Sequence, residues 1–211
     1  MPRPLRIQYP GAWYHVMNRG ASRQNIFRDV HDRRDFLVCL ASAASRTEVE
    51  VHAYVLMGNH YHLLLRTPNG NLDTMMHLLG RNYARYFNDR YDRDGRLCTD
   101  RYFPILVDSD RYLLAVSRYI HRNPTAFGIT SLGDYFWSSY AAYLGNRRPQ
   151  EWLHVDFTLS LAGGARGYES VVESPLPTEI DLVYSSGKPP HVLGPEQFRQ
   201  AAIAKASEAS R

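Results

Sequence analysis

Two β-prone runs meet at Gly58-Asn59, and that junction constrains the fold more than any other stretch. Val49 to Met57 is rich in β-branched and aromatic residues, and His60 to Thr67 takes up again after two residues. A glycine-bearing turn of that size between two such runs predicts an antiparallel hairpin. Side chains alternate faces along a strand, so His60 and His62 project from the returning strand on one side. Two neutral imidazoles fixed in this way are half of a divalent-metal site. A bare His-x-His on a strand is more often ordinary packing than a metal site, so it needs a second observation.

The periodicities around the hairpin supply the rest of the architecture. Ala12 to Arg19 reads as a first strand stopped by Gly20, and Ser22 to Asp29 as a polar loop. From Asp32 to Thr47, Phe36, Leu37, Leu40, Ala41 and Ala44 recur at helical spacing. After the break at Pro68–Gly70, Leu72 to Tyr91 is a long amphipathic helix with Leu72, Met75, Met76, Leu79, Tyr83 and Phe87 inward. A charged loop from Asp92 to Asp100 leads to a fourth strand, Tyr102 to Val107, where Pro104 argues for an edge or a bulge. Asp108, Ser109 and Asp110 offer caps for a helix that runs to Asn123 and stops at Pro124.

Strand, helix, strand, strand, helix, strand is the order of an α+β, ferredoxin-like split βαβ sheet, antiparallel with helices on one face. The helix ending at Asn123 is then an addition to it. Residues 1–145 make one unit and 146–211 a C-terminal extension of undefined role. Met1 to Pro10 is a basic arm or edge strand. Ser138–Leu144, Asp156–Ala162 and Glu196–Ala206 are short helices, and the Pro-, Gly- and Ser-rich Glu173–Pro195 is a linker or wrapping tail.

Composition narrows the function class. At 211 residues and 44% hydrophobic content the chain can build a real core. No apolar run approaches the roughly 20 residues of a membrane span, and the start carries no secretory apolar region. Two cysteines, Cys39 and Cys98, are too few for a disulfide framework, so a cytoplasmic location is expected. The net charge is +4, and Lys188 and Lys205 are the only lysines among 25 basic residues. Arginine forks match phosphates and stack on bases, which suits nucleic acid, although codon usage would give the same bias.

The chemistry rests on Tyr119 and Asn123, four residues apart and so on one helical face. Cleaving a phosphodiester needs a nucleophile, charge neutralisation at the phosphate, and in-line alignment. His60 and His62 can hold a metal with open positions, and the amide oxygen of Asn123 is a candidate third ligand. Tyr119, with an ordinary pKa near 10, must lose its proton as it attacks. Attack by a side chain conserves the bond energy in a phosphotyrosine, so the strand can be rejoined. Taken alone, Tyr119 reads as a packing residue, the His77, Arg81 and Arg85 face as merely solvated, and His15 and His52 as structural.

Gly58-Asn59-His60-Tyr61-His62-Leu63-Leu64-Leu65 followed by Ser117-Arg118-Tyr119-Ile120-His121-Arg122-Asn123-Pro124 resembles the single-tyrosine HUH transposases of the IS200/IS605-like family. The nearest likeness is the branch associated with repetitive extragenic palindromes (REP). Trp13-Tyr14-His15-Val16-Met17-Asn18-Arg19-Gly20 and Trp137-Ser138-Ser139-Tyr140 extend the resemblance over about Ala12 to Leu144. It implies Mg2+ or Mn2+ on His60 and His62, with Asn123 completing the site. It implies that Tyr119 attacks single-stranded DNA at REP-like hairpins, leaving a 5′-phosphotyrosine and a free 3′-OH. It also implies a monomer or a homodimer. Tyr61 departs from the pattern by placing a hydroxyl-bearing aromatic between the histidines, and nothing after Gly145 is matched.

Arg19, Arg23, Arg81, Arg85, Arg118 and Arg122 are the candidate phosphate contacts, and binding through them should weaken steeply with salt. Two other readings remain open: an idle or domesticated DNA-binding protein, and a water-using metal-dependent nuclease that would tolerate Tyr119→Phe. An RNA-binding sheet fits less well, because histidines stand where such sheets expose aromatics.

Overall fold

The computed structural model describes residues 7–98, 101–174, 183–184 and 189–209. The first six residues of the arm, the end of the charged loop and most of the Pro-, Gly- and Ser-rich stretch lie outside the described residues.

The hairpin forms as the turn predicts. β2 (Glu50–Leu56) and β3 (His60–Thr67) pair antiparallel around Gly58-Asn59. β1 (Ala12–Arg19) lies on the other side of β3, in a register that sets Arg19 opposite His60 and Met17 opposite His62. β4 (Phe103–Val107) pairs antiparallel with β1, so the order β2-β3-β1-β4 is that of the split βαβ sheet. A fifth strand, β5 (Val192–Leu193), joins β4 in parallel from within the stretch read as linker or tail.

Pro104 is explained by this arrangement. Leu106 and Asp108 donate their N–H groups outward to His191 and Leu193, and β5 is too short to reach Pro104. The residue with no N–H to give therefore sits where β4 is an edge.

α1 (Val30–Thr47) and α2 (Leu72–Tyr91) cover one face of the sheet. Asp29 caps α1, accepting from the backbone of His31 and Asp32, while the Asp32 side chain returns to Asp29 N. Asp32 is fully buried, and its charge is answered by Arg90 at 2.7 Å and the Tyr91 hydroxyl at 2.9 Å from the end of α2. A buried carboxylate is tolerated only with partners of this kind. The bond set fastens the start of α1 to the end of α2. All six residues expected on the inner side of α2 are buried.

α3 (Ser109–Arg122) lies on the opposite face over Trp13, Ala53, Val55, Leu64, Ile105 and Val107. With helices on both sides, β2 and β3 are buried almost throughout, which is why β2 alternates so weakly. A bulge between Val51 and Ala53 disturbs its period further. The outer edge of β2 is covered by later chain: Trp137 O accepts from Leu56 N, and His154 N donates to Val51 O.

Beyond the sheet come α4 (Tyr140–Tyr143), α5 (Asp156–Leu161), α6 (Ala165–Glu173) and α7 (Glu196–Ala209). The short periodicities predicted α4, α5 and α7, whereas α6 escaped them. α6 packs on α3 through the fully buried Tyr168 and Val172.

Candidate active site

The site assembles where the β2–β3 turn meets the end of α3. The turn is held rigidly: Gly58 O accepts from Ile26 N and Phe27 N, and Asn59 O accepts from Gly20 N. A side chain at position 20 would collide with Gln24 O at 2.2 Å, so only glycine admits this closure. The Asn59 amide then reaches both ways, donating to Arg23 O at 3.2 Å and placing Oδ1 2.7 Å from His60 Nδ1.

His60, His62, Tyr119 and Asn123 come together as their motifs predict. The rings of His60 and His62 are perpendicular, with centroids 5.2 Å apart. The half-buried Tyr119 places its ring 5.6 Å from that of His62, edge to face. One turn further along the chain, Asn123 bridges the pair: Oδ1 is 3.1 Å from His60 Nε2, and Nδ2 donates to His62 Nε2 at 3.2 Å.

Burial keeps these imidazoles neutral. It lowers the pKa of His60, with the nearby Arg19 charge acting the same way and Asn123 opposing. It pushes His62 well below the ordinary histidine range, helped by His15, His60 and Arg19. A neutral imidazole carries one proton, and Asn59 Oδ1 claims that of His60 at Nδ1. His60 Nε2 stands 3.1 Å from Asn123 Oδ1, a spacing that two ligands of one cation can have. The donor set thus fits a divalent cation held by His60 Nε2, His62 Nε2 and Asn123 Oδ1, with positions left for substrate oxygens. No group of three or more His, Cys, Asp or Glu suited to a metal occurs among the described residues, so a metal on the histidine pair would need a third donor of another kind, such as the Asn123 amide oxygen.

Tyr119 has its pKa raised by burial, with the Arg19 charge and the Asn123 side chain pulling it back down. The phenol is therefore protonated at rest, with charge-stabilising groups beside it.

The arginines divide into three sets. Arg19 and Arg23 are exposed beside the histidine pair, at the end of β1 and in the loop after it. Arg81 and Arg85 are exposed on α2, across the sheet from Tyr119. Arg118 and Arg122 correct the expectation of phosphate contacts. Arg118 is only 2% exposed, and its Nε donates to Val171 O at 2.6 Å. Arg122 Nη1 donates to Val172 O at 2.9 Å. Both answer the unsatisfied carbonyls at the end of α6, which the sequence pattern had not announced.

His15 and His52 are buried and partnered as expected of structural histidines, His52 with Glu50 at 3.2 Å. His15 also lies against the site: its Nε2 is 2.9 Å from His62 Nδ1, and its ring stands 5.7 Å from that of Tyr119. No local signal could have revealed that approach, because it depends on the β1–β3 register. Tyr184 stacks on Tyr119 at 3.9 Å and places its hydroxyl 2.7 Å from His15 Nδ1. His121 braces α3 from behind, with Nε2 2.7 Å from Ser139 Oγ and Nδ1 2.6 Å from the Tyr168 hydroxyl.

A groove of about 1020 Å3 lies elsewhere, lined by Asn18, Tyr61, His77, Arg81 and Tyr102 on the α2 side.

The family model described as "Transposase IS200 like" matches residues 8–123, just over half of the chain. No curated protein matches it. Among solved structures, a REP-associated tyrosine transposase bound to a REP hairpin is similar over 73% of this chain and 92% of its own, at 14% identity and a TM-score of 0.58. That likeness concerns the fold. A transposase candidate from Deinococcus radiodurans covers 54% of this chain and 92% of its own, at 22% identity and a TM-score of 0.39.

Proposed function

The chain belongs to the IS200-like transposase family, and on that premise we propose that it cleaves and rejoins single-stranded DNA at hairpin sites through Tyr119. The observation that carries the reading is the meeting of four residues from two distant segments: Tyr119 beside His62, with Asn123 bridging His60 and His62. A structurally similar REP-associated tyrosine transposase is bound to a REP hairpin, which supports a REP-like substrate.

Tyr119 Oη bonds to the scissile phosphorus, and the bond from phosphorus to the 3′ oxygen breaks. The phenolic proton leaves to solvent and the 3′ oxygen takes one up, giving a 5′-phosphotyrosine and a free 3′-OH. Arg19 favours the phenolate and offers charge to the phosphate. His60, His62 and Asn123 would hold Mg2+ or Mn2+, which when bound polarises the phosphate. Rejoining is the reverse, with a 3′-OH as the nucleophile and Tyr119 as the leaving group. The protein acts as a monomer or homodimer in the cytoplasm.

The test is a labelled single-stranded hairpin from beside the protein's own gene, incubated with manganese and run on a denaturing gel. A protein–DNA adduct that disappears in Tyr119→Phe and His60→Ala is expected. Cleavage that leaves no adduct and survives Tyr119→Phe would replace the reading with a water-using nuclease. Binding without cleavage would replace it with an idle DNA-binding protein.

A further inference from the structure

His62 has a hydrogen-bond partner that the reaction as proposed does not use. His15 is fully buried on β1, and its Nε2 lies 2.9 Å from His62 Nδ1. The other nitrogen of His62, Nε2, lies 3.2 Å from Asn123 Nδ2; with the amide donating there, Nε2 is an acceptor and the single proton of the neutral ring sits on Nδ1. That proton is donated to His15 Nε2. His15 in turn carries its own proton on Nδ1, where the Tyr184 hydroxyl lies 2.7 Å away and accepts it. Each bond fixes the direction of the next.

We propose that His15 is a positioning residue, which holds His62 in the Nδ1–H tautomer and so keeps the Nε2 lone pair aimed at the space shared with His60 and Asn123. A histidine that ligates a metal generally needs such an outer partner to fix tautomer and ring angle, and losing it typically weakens binding by about 10- to 100-fold. His60 obtains the same service from Asn59 Oδ1 at 2.7 Å. The two histidines are thus served by different devices, a turn amide for one and a buried ring from the neighbouring strand for the other. His15 meets His62 at Nδ1, the nitrogen turned away from Asn123. The inference rests on the proposed metal site for its consequence, but the tautomer is a property of the metal-free protein.

The experiment uses the full-length chain labelled with 15N at histidine. Long-range 1H–15N correlation spectra of the metal-free protein at pH 7.5 should show His62 as the Nδ1–H tautomer, and an Nε2–H ring would overturn the proposal. Mn2+ titration followed by electron paramagnetic resonance should show about tenfold or greater weakening in His15→Phe. His15→Gln, whose amide oxygen can accept the same proton, should recover most of the affinity and the Nδ1–H signature. Equal weakening in both variants, or wild-type affinity in His15→Phe, would overturn it and leave His15 a packing residue. If wild-type protein binds no Mn2+, the metal reading of the site fails, while the tautomer spectrum still decides the role of His15.

Discussion

The Tyr119 ring stands edge-on to His62, 5.6 Å between centroids and 83° between planes. It brings a residue of α3 against a strand more than fifty positions earlier, and Asn123 completes the contact one helical turn later. Helix geometry sets the distance between Tyr119 and Asn123, so the two face the histidines as one body.

Asn123 is therefore expected to matter to the metal more than to the fold. Asn123→Ala removes one donor and should weaken Mn2+ binding at least about tenfold, with His60→Ala at least as severe. Titration by isothermal calorimetry reads this directly. Unchanged affinity would mean that the cation is held elsewhere.

Arg19 and Arg118 should separate cleanly. Arg19 is exposed beside the site, so Arg19→Ala should lower hairpin affinity and reduce the salt slope of binding by about one phosphate contact. Arg118 is buried on Val171 O, so Arg118→Ala should cost about 2–3 kcal/mol of stability, as expected for a charge-assisted hydrogen bond to a buried carbonyl. Its salt slope should equal that of the wild type. Binding isotherms at several salt concentrations, with urea melts of both variants, make the comparison. A reduced slope in Arg118→Ala would return that residue to the DNA interface.

Ser139 is a small residue with a large expected effect. Its hydroxyl accepts from Tyr54 N at 2.9 Å and meets His121 Nε2 at 2.7 Å, all of it buried. Ser139→Ala strands both partners and should cost about 2–3 kcal/mol in a urea melt, since each unsatisfied buried group costs about 1–3 kcal/mol. A loss under about 0.5 kcal/mol would show that water takes the place of the hydroxyl.

Acid should unfold the protein through its buried histidines. Burial pushes the pKa of His121 down to about 3 and that of His52 to about 4, against 6.5 for a free side chain. Below pH 6.5 the unfolded chain takes up protons that the folded chain refuses, so stability falls as pH drops toward the folded values. At pH 5 each histidine should contribute a loss of about 2 kcal/mol relative to pH 8. Thermal melts between pH 8 and 5 check this, and His121→Gln should flatten the dependence. A stability that holds level down to pH 5 would mean that these rings are charged in the folded state.

Much of this was legible from one dimension. The extents of β1, β3 and α2, the inward residues of α2, and the shared face of Tyr119 and Asn123 all follow from periods of two and 3.6 residues. Those periods are written into consecutive side chains, so a burial pattern reports them without knowledge of the partner. Pro104 likewise announced its edge position through the hydrogen bond it cannot make.

What the tertiary structure decided are relations between segments whose partners the pattern does not name. Arg118 looks like any helical arginine until α6 brings two open carbonyls to it. β5 has two residues and no period, and it exists because β4 offers an unpaired edge. His15 sits in an unremarkable strand, and only the β1–β3 register carries it to His62. The sequence by itself determined the elements and singled out the side chains of the candidate site, because local sterics and burial act on neighbours in the chain. His60 is held by its neighbour Asn59, but the support of His62 comes from His15, 47 positions away, and forms only once the sheet has closed.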